Sequence, residues 1–277
     1  MSKNSIGVMQ GRLLPKYKGH YQAHPVGYWQ DELKIASDLG LDCIEFILDF
    51  NESENNPLLS TSGVKEIRSV VEKTGVRVKT ICADYFMEAP LHSDNDAIAE
   101  QSQNTLKLLV KNAFDLGVSD IVIPCVDQSS LESETAKQRF VAFLTPLIDI
   151  AERFKINFSL ETDLLPVAFK ELLDEFNSSQ VTVNYDIGNS AALGYDPVEE
   201  LNTYGHLISD IHIKDRVLGG GSVTLGEGDA DFELFFNKLK EFDYQGPFIM
   251  QAYRDAEGVE IFKKQLAWIK PFIERVQ

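Results

Sequence analysis

A chain of 277 residues, 44% hydrophobic and 25% charged, has the make-up of an ordinary globular protein and the length of one closed α/β barrel, which needs about 250 residues. With 43 acidic residues against 26 basic ones the formal charge is −17, which argues against nucleic acid as a partner, because displacing its counterions takes Lys and Arg. No apolar run approaches the roughly 20 residues that span a bilayer, so a soluble protein without a membrane partner is expected.

The start, Met1-Ser2-Lys3-Asn4-Ser5, leads directly into Ile6–Met9, an apolar stretch too short for a signal-peptide core and followed by no small-residue cleavage site. Export is not expected, and the cytoplasm is. Cys43, Cys82 and Cys125 stand far apart in apolar runs, without the close pairing of a zinc knuckle or a disulfide framework, which suits free thiols in a reducing compartment.

From here to the C-terminus, short β-branched runs alternate with longer amphipathic ones. The predicted strands are Ser5–Gln10, Cys43–Leu48, Val76–Cys82, Asp120–Pro124, Asn157–Glu161, Val181–Asp186, Ile208–Lys214 and Pro247–Gln251. The predicted helices between and after them are Tyr28–Leu39, Gly63–Thr74, Ala97–Leu116, Glu134–Phe154, Pro166–Asn177, Val198–Gly205, Phe232–Phe242 and Val259–Arg275. Several end at a Gly or Asn able to cap them. Asp120–Pro124 and Pro247–Met250 are apolar throughout, as strands of a parallel sheet buried on both faces should be. Eight βα units with no linker or repeat predict a single (β/α)8 TIM barrel, one domain over residues 1–277. An open doubly wound sheet is the rival, but the first turn, Gln10-Gly11-Arg12-Leu13, is not a Gly-rich phosphate loop. Leu14–Gly27 and Val217–Asp229 read as long βα loops.

Catalytic groups of such a barrel sit where strands run into the following loops, so the polar residues that terminate apolar runs are the informative ones. The last four strands end in Glu161, in Asp186, in His212 with Lys214, and in Gln251. Carboxylates buried on adjacent strands repel each other, and a divalent cation offsets that repulsion. Two carboxylates, an imidazole and an amide oxygen make a ligand set suited to one Mn, Mg, Co or Zn ion, with coordination positions left for substrate. Arg12, Arg216 and Arg254 follow strands closely and are candidates to grip a phosphate or carboxylate. Glu45, His92 and Asn189 are further candidate substrate contacts. Each has a structural rival: an ion pair with Lys or Arg across the barrel for Glu45, simple exposure for His92, and a helix cap for Asn189. An ion pair with a neighbouring carboxylate is the rival for Lys214.

These residues carry a resemblance. Gly7-Val8-Met9-Gln10-Gly11-Arg12-Leu13, Leu160-Glu161-Thr162-Asp163, Tyr185-Asp186-Ile187-Gly188-Asn189, Ile211-His212-Ile213-Lys214-Asp215-Arg216 and Leu225-Gly226-Glu227-Gly228-Asp229, in this order, resemble the xylose-isomerase-like TIM-barrel superfamily. The likeness is to its sugar phosphate isomerase/epimerase branch, related to AP endonuclease family 2, and it covers essentially the whole chain. It implies a metal-dependent isomerase or epimerase of a small ketose, aldose or sugar phosphate, working by proton abstraction and an ene-diolate. The metal ligands of ketose 3-epimerases in that superfamily fall on Glu161, Asp186, His212 and, with Gln in place of Glu, on Gln251. Gln251 can ligate but cannot exchange a proton at neutral pH. Glu161 is then the expected base, and Lys214, Glu45 or Glu88 the expected second proton carrier. A dehydratase of a cyclic polyol or keto-sugar of the inosose type, and a non-catalytic sugar-phosphate-binding barrel, are the alternatives. The DNA-repair chemistry of the AP endonucleases is not expected, since His20, His24 and His206 do not fit a multi-zinc cluster. Relatives of this kind imply a homodimer or homotetramer.

Overall fold

The structure is a computed structural model that describes residues 4–276, so Met1, Ser2 and Lys3 of the N-terminal stretch, and Gln277, lie outside it. Eight parallel strands close into a barrel: β1 (Ile6–Met9), β2 (Cys43–Ile47), β3 (Arg77–Cys82), β4 (Asp120–Cys125), β5 (Asn157–Thr162), β6 (Val181–Asp186), β7 (Ile208–Ile213) and β10 (Phe248–Met250). β1 closes the ring by pairing with β10 in the register Ile6↔Phe248 and with β2 in the register Gly7↔Cys43. Every strand lies within the predicted run or within two residues of it, and the expected (β/α)8 barrel is what forms.

Alternation decides which side chains face the lumen. Val8, Ile44, Phe46, Ile121, Phe158, Leu160, Val183, Ile211 and Phe248 belong to the large core between barrel and helices. Their alternate neighbours Met9, Cys43, Ile47, Cys82, Val122 and Ile249 form a separate apolar cluster inside the barrel. The rest of the inward set is polar and buried: Glu45, Thr80, Ser159, Thr182, Asn184, Asp210 and His212. The apolar inward groups come from β1, β2, β3, β4 and β10, while β5, β6 and β7 contribute polar ones, with Glu161 and Asp186 near the ends of β5 and β6.

The helices follow the predicted pattern with local exceptions. The single helix expected over Glu134–Phe154 is broken: α-helix spans Glu134–Leu144 and Ile148–Phe154, with a 3-10 turn at Thr145–Leu147 between them. Pro146 is the cause, because it has no N–H to donate and its ring crowds the preceding turn. The expected loop Val217–Asp229 contains a strand, β9 (Ser222–Val223), which pairs antiparallel with β8 (Asp215–Arg216). A helical turn, Tyr85–Glu88, lies between β3 and the helix Asp96–Leu116, and a short helix, Ile187–Leu193, follows β6 directly. Neither has enough residues to show a 3.6-residue apolar period. No helix among the described residues is long and apolar enough to cross a membrane.

The helix Gln30–Asp38 does more than cover the barrel. Its Glu32 is fully buried, and the two carboxylate oxygens accept from Gly11 N at 2.8 Å and Leu13 N at 2.9 Å, which fixes the turn leaving β1. Burial pushes the Glu32 carboxyl up to about 7, so between the ordinary carboxylate pKa and about pH 7 the folded chain holds a proton that the unfolded chain has released. Stability from this group is therefore greatest at the acid end of that window and declines as pH rises through it. Glu32→Ala strands both N–H donors and is expected to cost about 2–6 kcal/mol at neutral pH, at about 1–3 kcal/mol per buried unpaired group. A denaturant midpoint unchanged from the parent would show that the clamp is not needed.

Candidate metal centre

Asp186 ends β6, while Glu161 and His212 each lie one residue from the end of β5 and β7, all three buried, with ligand atoms within 4.8 Å of one another. The structure thus brings together three of the four residues singled out as metal ligands. Two carboxylates and an imidazole at this spacing suit a divalent ion of the Mn, Mg, Co or Zn kind.

Hydrogen bonds beneath the cluster set its orientation. His212 Nε2 lies 2.8 Å from Glu45 Oε1, and Thr80 Oγ1 donates to Glu45 Oε2 at 2.7 Å. With Nε2–H given to Glu45, the other ring nitrogen keeps its lone pair, and His212 Nδ1 is buried with no partner, 3.9 Å from Asp186 Oδ2. Glu45 is wholly inaccessible, so the structure puts it under the imidazole and not at the mouth where a substrate contact was expected. Its partner is also not the Lys or Arg that formed the rival expectation. Burial pushes Glu45 up to about 7, and burial followed by the Glu45 charge pushes Asp210 well above the usual carboxylate range.

Gln251 follows β10 and is 5% exposed; its amide nitrogen donates to Gln22 Oε1 at 2.9 Å, while its buried Oε1 has no partner. An unpaired buried oxygen is costly, and a cation is one way to satisfy it. His212 Nδ1 and Gln251 Oε1 are thus two acceptors that lack a donor, as metal ligands would.

The upper edge of the cluster is organised by Asn189. Asp186, not Asn189, caps the helix Ile187–Leu193, its Oδ1 accepting from Asn189 N at 2.8 Å. The Asn189 side chain is left free to act sideways: Nδ2 donates to Glu161 Oε1 at 2.5 Å, and Oδ1 accepts from Lys214 Nζ at 3.0 Å and Arg216 Nη1 at 2.8 Å. Lys214 Nζ also donates to Asp186 Oδ2 at 3.1 Å, the ion pair named as its rival role. That oxygen retains a lone pair, so the ammonium does not by itself block ligation. Gly188 is needed for this approach, since a Cβ there would stand 2.7 Å from Lys214 Cγ. The Glu161 carboxyl is pushed up to about 7, first by burial and then by the neighbouring Asp186 charge.

The remaining candidates are placed as follows. Arg12 donates to Gln22 Oε1 at 2.9 Å and so borders the cluster. Arg216 is half-buried and spends Nε and Nη2 on Gly220 O. Arg254 is 7% exposed, lies over the Tyr21 ring and donates to the carbonyls of Gly11, Arg12, Leu14 and Ala256, which makes it a brace for the turn after β1. His92 packs against the Phe140 ring and does not line the mouth cavity.

That cavity, about 520 Å3, is lined by Gln22, Asp49, Glu52, Asp84 and Glu88 among others. Asp84 and Gln22 were missed in the sequence. Asp84 Oδ2 accepts from Gln22 Nε2 at 3.1 Å, and burial raises its carboxyl above the usual range. Asp84 follows β3 by two residues, the same strand-end signal that marked Glu161, whereas Gln22 sits in a long loop with nothing in its neighbours to mark it.

A model of the family described as xylose isomerase-like TIM barrel matches residues 33–272. The chain belongs to this family. Among curated proteins, it is 28% identical over 262 residues to L-ribulose-5-phosphate 3-epimerase UlaE of Escherichia coli O1:K1, covering 90% of this chain and 92% of that one. The enzyme of the same name from Shigella flexneri serotype 5b is 29% identical over 263 residues, with the same coverage. Solved structures of like fold include 3-keto-D-glucoside 4-epimerase YcjR from E. coli, with TM-score 0.76, 16% identity, and 97% and 100% coverage. Another is the IOLI protein with a zinc atom bound, with TM-score 0.77, 17% identity, and 99% coverage of each chain.

Glu45→Ala is expected to weaken divalent-metal binding by about 10–100-fold, the usual effect of removing the group that orients a ligand His. Glu45→Gln, which keeps an acceptor for Nε2–H, is expected to recover much of it. Titration calorimetry with Mn or Zn checks both, and equal affinities for parent and Ala variant would separate Glu45 from the metal.

Proposed function

We propose that this protein is a divalent-metal-dependent epimerase or isomerase of a small ketose or its phosphate, acting by proton abstraction beside a carbonyl. The observation that carries the reading is the convergence of Glu161, Asp186 and His212 with ligand atoms inside 4.8 Å, with His212 Nδ1 left bare. Epimerase activity in the relatives with 28–29% identity supports the reaction class, and the zinc atom bound by a protein of like fold supports the metal.

Glu161, Asp186, His212 and the Gln251 carbonyl oxygen would hold the ion, which would supply polarisation of the substrate carbonyl and charge to offset an ene-diolate. The chain's own groups do the rest. Asn189 fixes one oxygen of Glu161, and this carboxylate is the base for the substrate C–H. Lys214 steadies Asp186 and Asn189 and brings a positive charge to that edge of the cluster. Gln251 cannot return a proton, and Glu45 is sealed below His212. Glu88 stays on the rim, where its carboxylate accepts from Gln128. Asp84 takes the second role: it lines the cavity, its carboxyl is raised so that it holds a proton more readily, and its charge is felt at Glu161. Delivery of that proton to the opposite face inverts the carbon.

Incubation with a panel of ketoses in D2O, followed by mass spectrometry, tests this assignment. Glu161→Gln is expected to lower deuterium uptake by about 10²–10⁴-fold with the fold intact. Asp84→Asn is expected to retain uptake but to lose most of the inverted product. Undiminished uptake in the first variant refutes the base, and undiminished inversion in the second refutes the acid. Protein without metal and without uptake would point to a binding protein.

A further inference from the structure

We infer that the substrate is an unphosphorylated ketose, although the curated relatives are named for a 5-phosphate; the inference rests on the epimerase or isomerase reading above. Barrels of this kind commonly hold a phosphate with backbone N–H groups of the loops that follow the last parallel strands. Here the loop after β7 is already filled. Asp215, fully buried, places Oδ2 2.8 Å from Gly226 N and 3.0 Å from Gly228 N, and Oδ1 3.2 Å from Ala230 N. Asp229 does the same for Leu218 N at 2.6 Å. The nest that would receive an external anion holds two internal ones.

The cations near the mouth are committed in the same way. Arg254 gives Nε and Nη1 to four carbonyls and holds Nη2 3.7 Å from the Glu257 carboxylate, Arg216 serves Gly220 O and Asn189, Lys214 serves Asp186 and Asn189, and Arg12 gives Nη2 to Gln22 while its Nε is buried and unpaired. Lys18, on the cavity wall, is paired with Glu52. The cavity itself sets Asp49, Glu52, Asp84 and Glu88 against Lys18 and His20. A phosphate monoester carries between one and two negative charges near neutrality and needs donors that no carboxylate already holds. Sugar hydroxyls bring donors instead, and carboxylates and amides are the acceptors they need.

The test uses the metal-loaded, full-length protein and matched pairs of pentuloses and hexuloses with and without a terminal phosphate, scored by deuterium uptake and kcat/KM. The free ketose is expected to exceed its phosphate ester by about 10-fold or more, the factor expected of one unfavourable charge contact. Glu88→Gln, which removes one wall carboxylate outside the proton-transfer pair, is expected to narrow that ratio several-fold. Phosphate esters turning over as well as or better than the free sugars would overturn the inference and leave the epimerase reading standing. Uptake into neither set would overturn both.

Discussion

Buried negative charge is the constraint to which the open end of this barrel answers. Glu45, Asp84, Glu161, Asp186 and Asp210 come from five different strand segments; Asp84 is half-buried at the mouth and the other four are buried. Left ionised together in a medium of low polarity they would oppose folding; protons and the Lys214 ammonium offset them, and the coordinated cation proposed above would be a third device. The raised carboxyls of Glu45, Glu161 and Asp210 report the first, and the contact with Asp186 reports the second. The partnerless His212 Nδ1 and Gln251 Oε1 call for the third. In the proposed reaction the same three devices are the working parts of proton transfer beside a carbonyl, so that chemistry and stability would draw on one arrangement.

Replacement of the expected Glu by Gln251 changes that balance more than it changes the geometry. An amide keeps an oxygen for ligation, removes one negative charge from the cluster, and gains a donor that reaches Gln22. Through Gln22 the end of β10 is coupled to Asp84 and to Arg12, so a chain of amides links the ligand set to a carboxyl on the other side of the mouth. In the proposed mechanism, the proton carrier absent from one strand is matched by one offered from another.

Much of the architecture was legible because a parallel barrel leaves a strong imprint: strands such as Asp120–Cys125 are apolar after their first residue, and helices such as Asp96–Leu116 end at a Gly with positive φ. Polar strand ends located Glu161, Asp186 and His212 for the same reason. Legibility failed where function depends on contacts between distant segments. Glu32, Gln22 and Asp84 acquire their roles only when loops fold over the mouth. The direction of an Arg is equally invisible, so Arg254 reads as a ligand grip and turns out to brace a loop. Asn189 looked like a cap because the short helix beginning at Ile187 has no periodicity to reveal that Asp186 takes that place.

The turn after β1 is gripped from two directions, its N–H groups by Glu32 and its carbonyls by Arg254. Both anchors are buried, so the conformational freedom of residues 11–14 is surrendered when the chain folds and not when a ligand arrives. Arg12 is therefore presented at the mouth from a preorganised base, and binding there requires no further ordering of the backbone that carries it.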